Sequence, residues 1–212
     1  MTDPSGAPIS LHRPDQDEEL ARAELYGLLA QLWLASPAQA LLERLQSASE
    51  NNGEASAGFL TGAWRDLVRA LRESTVVGAA QEHDALFGGI GKPEVFLYGS
   101  YYLSGFLNEK PLAALRTDLL ALGLARDPQR LETEDHIAYG FEVMRYLIAG
   151  DDGAVCNLEQ QRKFFRTHLQ PWVETLCATV QAHPRAIVWQ ALAALTAQFM
   201  KVETQAFDML EL

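Results

Sequence analysis

Apolar residues recur along most of this chain at the spacing of an α-helix. Between residues 131 and 150 they fall at Ile137, Phe141, Met144 and Ile148, at intervals that keep them on one helical face. Two further stripes have the same period: Ala21, Leu25, Leu28 and Leu32 near the start, and Val188, Leu192, Leu195, Phe199 and Val202 near the end. The pattern therefore predicts amphipathic helices from one end of the chain to the other.

Polar and proline-containing breaks separate the predicted helices. We predict them over residues 17–35, 41–45, 59–72, 77–87, 112–122, 133–149, 158–169, 171–182 and 186–202. Pro171 suits the first position of a helix, where its missing N–H costs nothing. Residues 1–16 are predicted to be a disordered lead-in and residues 47–58 a polar loop. The sequence thus predicts an all-α fold, a single-domain helical bundle of about nine to eleven helices over residues 17–212.

The least regular segment is residues 88–106, which is rich in aromatic and β-branched side chains. Val95, Phe96, Tyr98, Tyr101 and Tyr102 would suit a strand by propensity alone. A single strand has no partner in an otherwise helical chain, so we predict a loop that leads into a helix.

Composition narrows the classes of partner. The chain has 212 residues, 48% of them hydrophobic, and a formal net charge of −11, which disfavours nucleic acid and anionic membranes. No apolar run is long enough to span a bilayer, and the first residues lack the pattern of an export signal. Cys156 and Cys177 have no metal-binding or disulfide-scaffold spacing, so we expect reduced, structural thiols. These features predict a cytoplasmic protein.

The motifs of common catalytic sites are missing from the sequence. No histidine has Glu three residues before it, as a di-iron bundle requires. The run Gly88–Lys92 lacks the first Gly and the final Ser or Thr of a phosphate-binding loop, with Pro93 after the lysine. We therefore predict no catalytic residue, no metal, no cofactor and no enzymatic activity.

Asp135 and His136 lie at the N-terminal end of the helix predicted over residues 133–149. Such a pair can cap backbone N–H groups, or it can face a groove and receive a basic ligand. Asp135 as a plain helix cap and His136 as a buried, hydrogen-bonded histidine stay open as alternatives.

Three segments together resemble the TorD/DmsD family of redox enzyme maturation proteins. Residues 82–103 resemble its Leu-Phe-x-Gly block and the aromatic–Gly–Ser segment that follows. Residues 132–136, ETEDH, are similar to its Glu-Pro-x-Asp-His motif, with Thr133 where the family has Pro. Residues 164–172, FFRTHLQPW, are similar to its Phe-x-x-x-His-Leu-x-Pro-Trp segment, in which we expect His168 and Trp172 to form a structural corner. His83 stands where an aromatic residue often begins the first block.

The resemblance implies a chaperone for a molybdenum-cofactor oxidoreductase. Members bind the twin-arginine leader of the partner's catalytic subunit and assist its maturation before export. A leader has a cationic part and an apolar stretch, so its receptor needs carboxylates beside an apolar groove. The residues expected to form that site are Asp135, His136, Glu132, Leu86, Phe87, Tyr98, Tyr101 and Tyr102, with Glu134 nearby.

Other interpretations remain at this stage. A weak guanine-nucleotide-binding protein or GTPase is the main alternative, and a helical scaffold for partner helices is a third. Leu86, Phe87, Tyr101 and Tyr102 are equally compatible with core positions. The expected oligomeric state is a monomer or a helix-exchanged homodimer, with residues 47–58 as the hinge.

Overall fold

The computed structural model describes residues 14–48, 58–88, 92–127 and 129–210, with side chains from residue 18 onward. Within these ranges the chain forms ten helices: α1 Pro14–Leu34, α2 Gln39–Gln46, α3 Thr61–Glu73, α4 Val76–Phe87, α5 Gly99–Ser104, α6 Lys110–Ala121, α7 Ile137–Ala149, α8 Leu158–His168, α9 Val173–Gln181 and α10 Val188–Met209. The described part contains no strand beyond one isolated bridge, so the all-α prediction is confirmed. Most of the lead-in predicted over residues 1–16, and most of the loop predicted over residues 47–58, lie outside the described residues.

One hydrophobic core runs through the bundle. α1 packs along α7, α7 also packs against α8, and α10 packs against α9 and α3. The largest wholly buried side chains include Tyr26, Trp33, Phe141, Phe165 and Trp189. The predicted stripe of α10 is confirmed over most of its length, and that of α7 from Ile137 to Met144.

The predicted stripe of α1 is displaced from the face that is most deeply buried. Tyr26, Leu29 and Trp33 are wholly buried, whereas Leu25 and Leu28 are only half-buried and Ala21 is exposed. Both faces of α1 are apolar, and the one that bears Tyr26 and Trp33 meets α7, α10 and α4: Tyr26 lies against Phe141 and Phe199, and Trp33 against Phe87 and Thr196. The half-buried face lines a groove beside α3 and α10.

A buried polar network joins the first helix to the last. Glu203, 2% exposed, accepts hydrogen bonds from Arg22 at 2.7 and 2.8 Å and from the Tyr26 hydroxyl at 2.8 Å. Arg22 also donates to the Gln161 side chain at 2.8 Å, and Gln161 donates to the Leu147 carbonyl at 3.1 Å. Every charged group in the network has a partner, as a buried ion pair requires.

Candidate functional site

The three segments that carry the family resemblance meet around α5. The backbones of Tyr98 and His136 form an antiparallel bridge, and the Gly99 N–H donates to the Asp135 carbonyl at 2.8 Å. The Trp172 indole lies against Gly99, where an added Cβ would come within 3.1 Å of it. Glycine at position 99 therefore permits the close approach on which the meeting of the three segments depends.

Asp135 is buried at this junction, only 6% exposed. One carboxylate oxygen accepts the Ser100 N–H at 2.9 Å, and the other accepts the Thr133 hydroxyl at 2.6 Å. Asp135 thus caps the start of α5, not the helix that follows it in the sequence. Thr133, in place of the family's proline, supplies one of the two donors.

His136 caps α7 itself. Its Nδ1 accepts the Ala138 N–H at 3.2 Å, and its ring, 3% exposed, meets the Tyr98 ring edge-on at 5.2 Å. Burial lowers the pKa of His136 to about 4, so the imidazole is neutral at physiological pH and its proton is on Nε2. The helix predicted from residue 133 begins instead at Ile137, because His136 is the capping residue.

Glu132 and Tyr98 form the half-buried edge of the site. The Tyr98 hydroxyl donates to the Glu132 carboxylate. Burial raises the pKa of Tyr98, and Glu132 raises it further, so Tyr98 stays protonated and remains a donor. Glu132 therefore carries its charge at a fixed position beside the bridge.

Glu134 carries the most heavily paired carboxylate of the motif. Arg116 donates to one oxygen from Nε at 3.0 Å and from Nη2 at 2.8 Å, and Arg126 lies 3.7 Å from the other. Partial burial opposes ionisation, but the Arg116 hydrogen bonds and the two positive charges outweigh it and lower the pKa of Glu134. Sequence reasoning identified Glu134 only as a nearby acid, since its arginines lie outside the motif.

The aromatic residues of residues 96–102 form a continuous layer next to these acids. The Tyr101 ring lies 4.2 Å from the Phe96 ring, and the Tyr102 ring is stacked on Trp172 at 5.6 Å. The Tyr102 hydroxyl donates to the Phe96 carbonyl at 2.9 Å. Farther along the chain Phe106 is 70% exposed, and Leu103, also exposed, lines a cleft together with Glu134.

Leu86 and Phe87 belong to the core behind this surface. Leu86 is wholly buried and offers no open face in this conformation. Phe87 is half-buried, with its ring 6.0 Å from Trp189 and 5.2 Å from His83. Burial lowers the pKa of His83, whose ring also lies 5.3 Å from the Trp189 ring.

The corner predicted around His168 and Trp172 is present. The Trp172 indole N–H donates to the His168 carbonyl at 2.7 Å, and the His168 ring lies 2.8 Å from the Asp118 carboxylate. The placement of Pro171 was wrong: α9 begins at Val173 with Trp172 as its N-terminal cap, so Pro171 lies in the turn before the helix.

Other kinds of site were sought in the same ranges. Among the described residues, no group of three or more His, Cys, Asp or Glu side chains is arranged to hold a metal ion. None of the described helices is long and apolar enough to cross a membrane. Cys177 is buried, which raises its thiol pKa to about 12, and neither cysteine is in a disulfide.

Comparison with known proteins agrees with the motifs. The family model described as nitrate reductase delta subunit matches residues 53–178. Sequences named "Chaperone protein TorD" from three Vibrio cholerae serotype O1 strains are each 25% identical over 202 residues, covering 88% of this chain and 92% of the relative. These matches support a chaperone role in redox enzyme maturation, as predicted, and give no support to the guanine-nucleotide alternative. The chain therefore belongs to the nitrate reductase delta subunit family, within its TorD-like chaperones.

Proposed function

We propose that this chaperone binds the twin-arginine leader of a molybdenum-containing oxidoreductase at the surface around α5. The observation that carries the proposal is the meeting of three motif segments, distant in the sequence, at one place. There the Glu132 carboxylate lies against Tyr98, and Glu134 lines a cleft together with the exposed Leu103 and with Trp172.

The two halves of this surface match the two halves of a leader. Arginine side chains pair with carboxylates, and the bidentate geometry of guanidinium favours arginine over lysine. The apolar stretch of the leader covers aromatic rings and leaves water, which supplies the larger part of the binding free energy. A net charge of −11 attracts the cationic end over a longer range.

The predicted site residues take different roles in this proposal. Glu132 and Tyr101 contact the leader, while Tyr98 and Tyr102 hold the shape of the surface through their hydrogen bonds. Asp135 contributes its negative charge from beneath the surface, because direct contact with an arginine would require it to give up an internal hydrogen bond.

Three side chains act from behind the contact surface. His136 keeps the loop in place as a neutral cap of α7. Leu86 and Phe87 support it from the core.

The partner in this proposal is the apo form of the oxidoreductase's catalytic subunit. Binding in the cytoplasm, where the leader is synthesised, shields the leader until the molybdenum cofactor has been inserted. We further propose that the chaperone acts as a monomer or as a helix-exchanged homodimer. The hinge predicted for that exchange, residues 47–58, lies mostly outside the described residues.

Calorimetric titration with leader peptides tests the proposal. The peptides are a natural twin-arginine leader and the same leader with both arginines replaced by glutamine. Two exposed ion pairs are worth about 0.6 to 2 kcal/mol, so the glutamine leader should bind roughly three- to thirtyfold more weakly. Equal affinities would show that the carboxylates do not bind the arginines. If neither peptide binds, the proposed function is overturned.

A double-mutant cycle with Glu132→Gln identifies the contact. The substitution should weaken binding of the arginine leader and leave binding of the glutamine leader nearly unchanged. Glu73→Gln, at the exposed end of α3, removes the same charge far from the site and serves as the matched control. If both peptides lose the same affinity for the variant, Glu132 maintains the shape of the surface and does not contact the arginines.

A further inference from the structure

α6 is held to α8 mainly by polar contacts of one residue, since Asp118 lies 2.8 Å from His168 and 3.8 Å from Lys163. Its only extensive helix–helix packing among the described elements is with α5. It lies over α7 and α8 with a stripe of leucines facing inward: Leu112, Leu115 and Leu119 are buried, followed by Leu122 just beyond its end. This spacing is that of an amphipathic helix set in an apolar groove.

The packing beneath α6 is incomplete. Three clefts of about 100, 140 and 230 Å³ separate α6 and its continuation from α7 and α8. The first and third of these clefts have a mostly apolar lining, which includes Gly140, Val143 and Leu169, whereas the second is lined about equally by polar groups such as Lys163 and by apolar groups such as Phe164. Voids of this size forfeit part of the contact energy of a close-packed interface, so α6 fits its groove less well than a core helix does.

Left-handed backbone delimits α6 at both ends. In the described part of the chain, positive φ occurs at Gly105 (84°), Asn108 (60°) and Gly123 (72°), and all three flank this helix. Glycine and asparagine tolerate this conformation at little cost. Short segments of this kind absorb the φ/ψ changes of a hinge, so α6 can move as a unit away from α7 and α8 at the expense of its packing against α5.

The polar side of the same segment presents two arginines to one acid of the motif. Arg116 comes from α6 and Arg126 from the stretch that follows, and both pair with Glu134. Two arginines beside an amphipathic helix are also the chemical features of a twin-arginine leader.

We propose that residues 110–126 are an internal mimic of the leader. This segment covers the groove on α7 and α8 and pairs with Glu134 until a leader displaces it. This inference rests on the proposed function. The occupant of the uncovered groove is a basic peptide with an apolar helical stretch, because α6 and its two arginines show what that groove accommodates.

The mimic lowers the affinity for the leader, because the leader binds only those molecules in which residues 110–126 have left the groove, the open state. A site that is open only part of the time binds with an apparent Kd equal to the intrinsic Kd divided by the open fraction. Weakening the hold of residues 110–126 therefore raises the affinity, although no leader contact is added. If α6 had only a structural role, loosening it would damage the site and lower the affinity.

The first test is the double variant Arg116→Gln/Arg126→Gln. Removing two surface ion pairs should let the variant bind a twin-arginine leader roughly two- to thirtyfold more tightly than the wild type. Arg65→Gln/Arg69→Gln, on α3, changes the net charge equally and is the matched control. Affinity that falls or stays level in the first variant, relative to this control, overturns the mimic.

The second test locks α6 shut. Ala114 and Thr167 line the same cleft from opposite sides, so Ala114→Cys and Thr167→Cys can be joined by a short bis-maleimide in a Cys156→Ser background. The joined protein should lose leader binding, while the same protein carrying separate mono-maleimides should retain it. If the joined protein binds as well as the other, α6 is not a lid.

The outcomes separate the two proposals. Absence of leader binding by every form of the protein overturns the proposed function, and the mimic with it. Leader binding that is indifferent both to the arginine substitutions and to the cross-link overturns the mimic alone and leaves the proposed function standing.

Discussion

Protonation of His136 should destabilise the chaperone in mild acid. The Nδ1 atom accepts the Ala138 N–H and therefore needs its lone pair, and the ring is 3% exposed. In the unfolded chain the imidazole has its ordinary pKa of about 6.5, whereas burial holds the folded pKa at about 4. Between these values the unfolded state binds a proton that the folded state does not, so stability falls as pH falls from 6.5 towards 4.

The size of the effect follows from the two pKa values. Each pKa unit corresponds to about 1.4 kcal/mol, and between pH 7 and pH 4.5 the linkage relation gives a loss of about 2 to 3 kcal/mol from this one residue. That is a large part of the stability of a typical domain.

Urea unfolding of the wild type and of His136→Asn at pH 7 and pH 4.5 measures this loss. Asparagine caps a helix with its side-chain oxygen and does not titrate in this range. The wild type should therefore lose about 2 to 3 kcal/mol more than the variant, which corrects for every other group that titrates. Equal losses in the two proteins would refute the assignment of His136 as a neutral cap.

Three further substitutions test the junction around α5 and the start of α10. Trp172→Ala should cost about 3 to 5 kcal/mol in urea unfolding, because a buried indole and its hydrogen bond are lost together, and leader binding should fall only as the unfolded fraction rises. Asp135→Asn should cost about 1 to 2 kcal/mol, since an amide keeps only one acceptor for the two donors held by the carboxylate; unchanged stability would show that the buried carboxylate is not needed. Glu82→Gln should lower the melting temperature through a loss of about 1 to 2 kcal/mol, because the Glu82 carboxylate accepts three backbone N–H groups around the start of α10, at 2.7 to 3.2 Å.

Local patterns predicted the helices well and their ends less well. The stripe of α7 follows directly from its helical period, but its start at Ile137 does not, because histidine is an uncommon capping residue. The displaced stripe of α1 has a different cause. Leu25 and Leu28 are as apolar as the residues of the deeper face, and only the positions of α4, α7 and α10 decide which face is covered.

The polar details of the site depend on contacts that no local pattern contains. Asp135 caps a helix that begins 36 residues earlier, and the arginine nearest to Glu134 lies 18 residues away in sequence. Such pairs exist only once the elements have packed. Motif resemblance singled out three segments that the structure brings together around α5, while only the three-dimensional structure separates the capping residues from the core residues among them.

The network around Glu203 has a consequence for synthesis on the ribosome. Arg22 is made early and its acid is made 181 residues later, which at 5 to 20 residues per second is a delay of roughly 10 to 35 seconds. Throughout that interval the Arg22 guanidinium and the Tyr26 hydroxyl lack the carboxylate that they share in the finished protein. This network therefore forms only after α10 has been translated, which makes the docking of α1 against α10 a late step of folding.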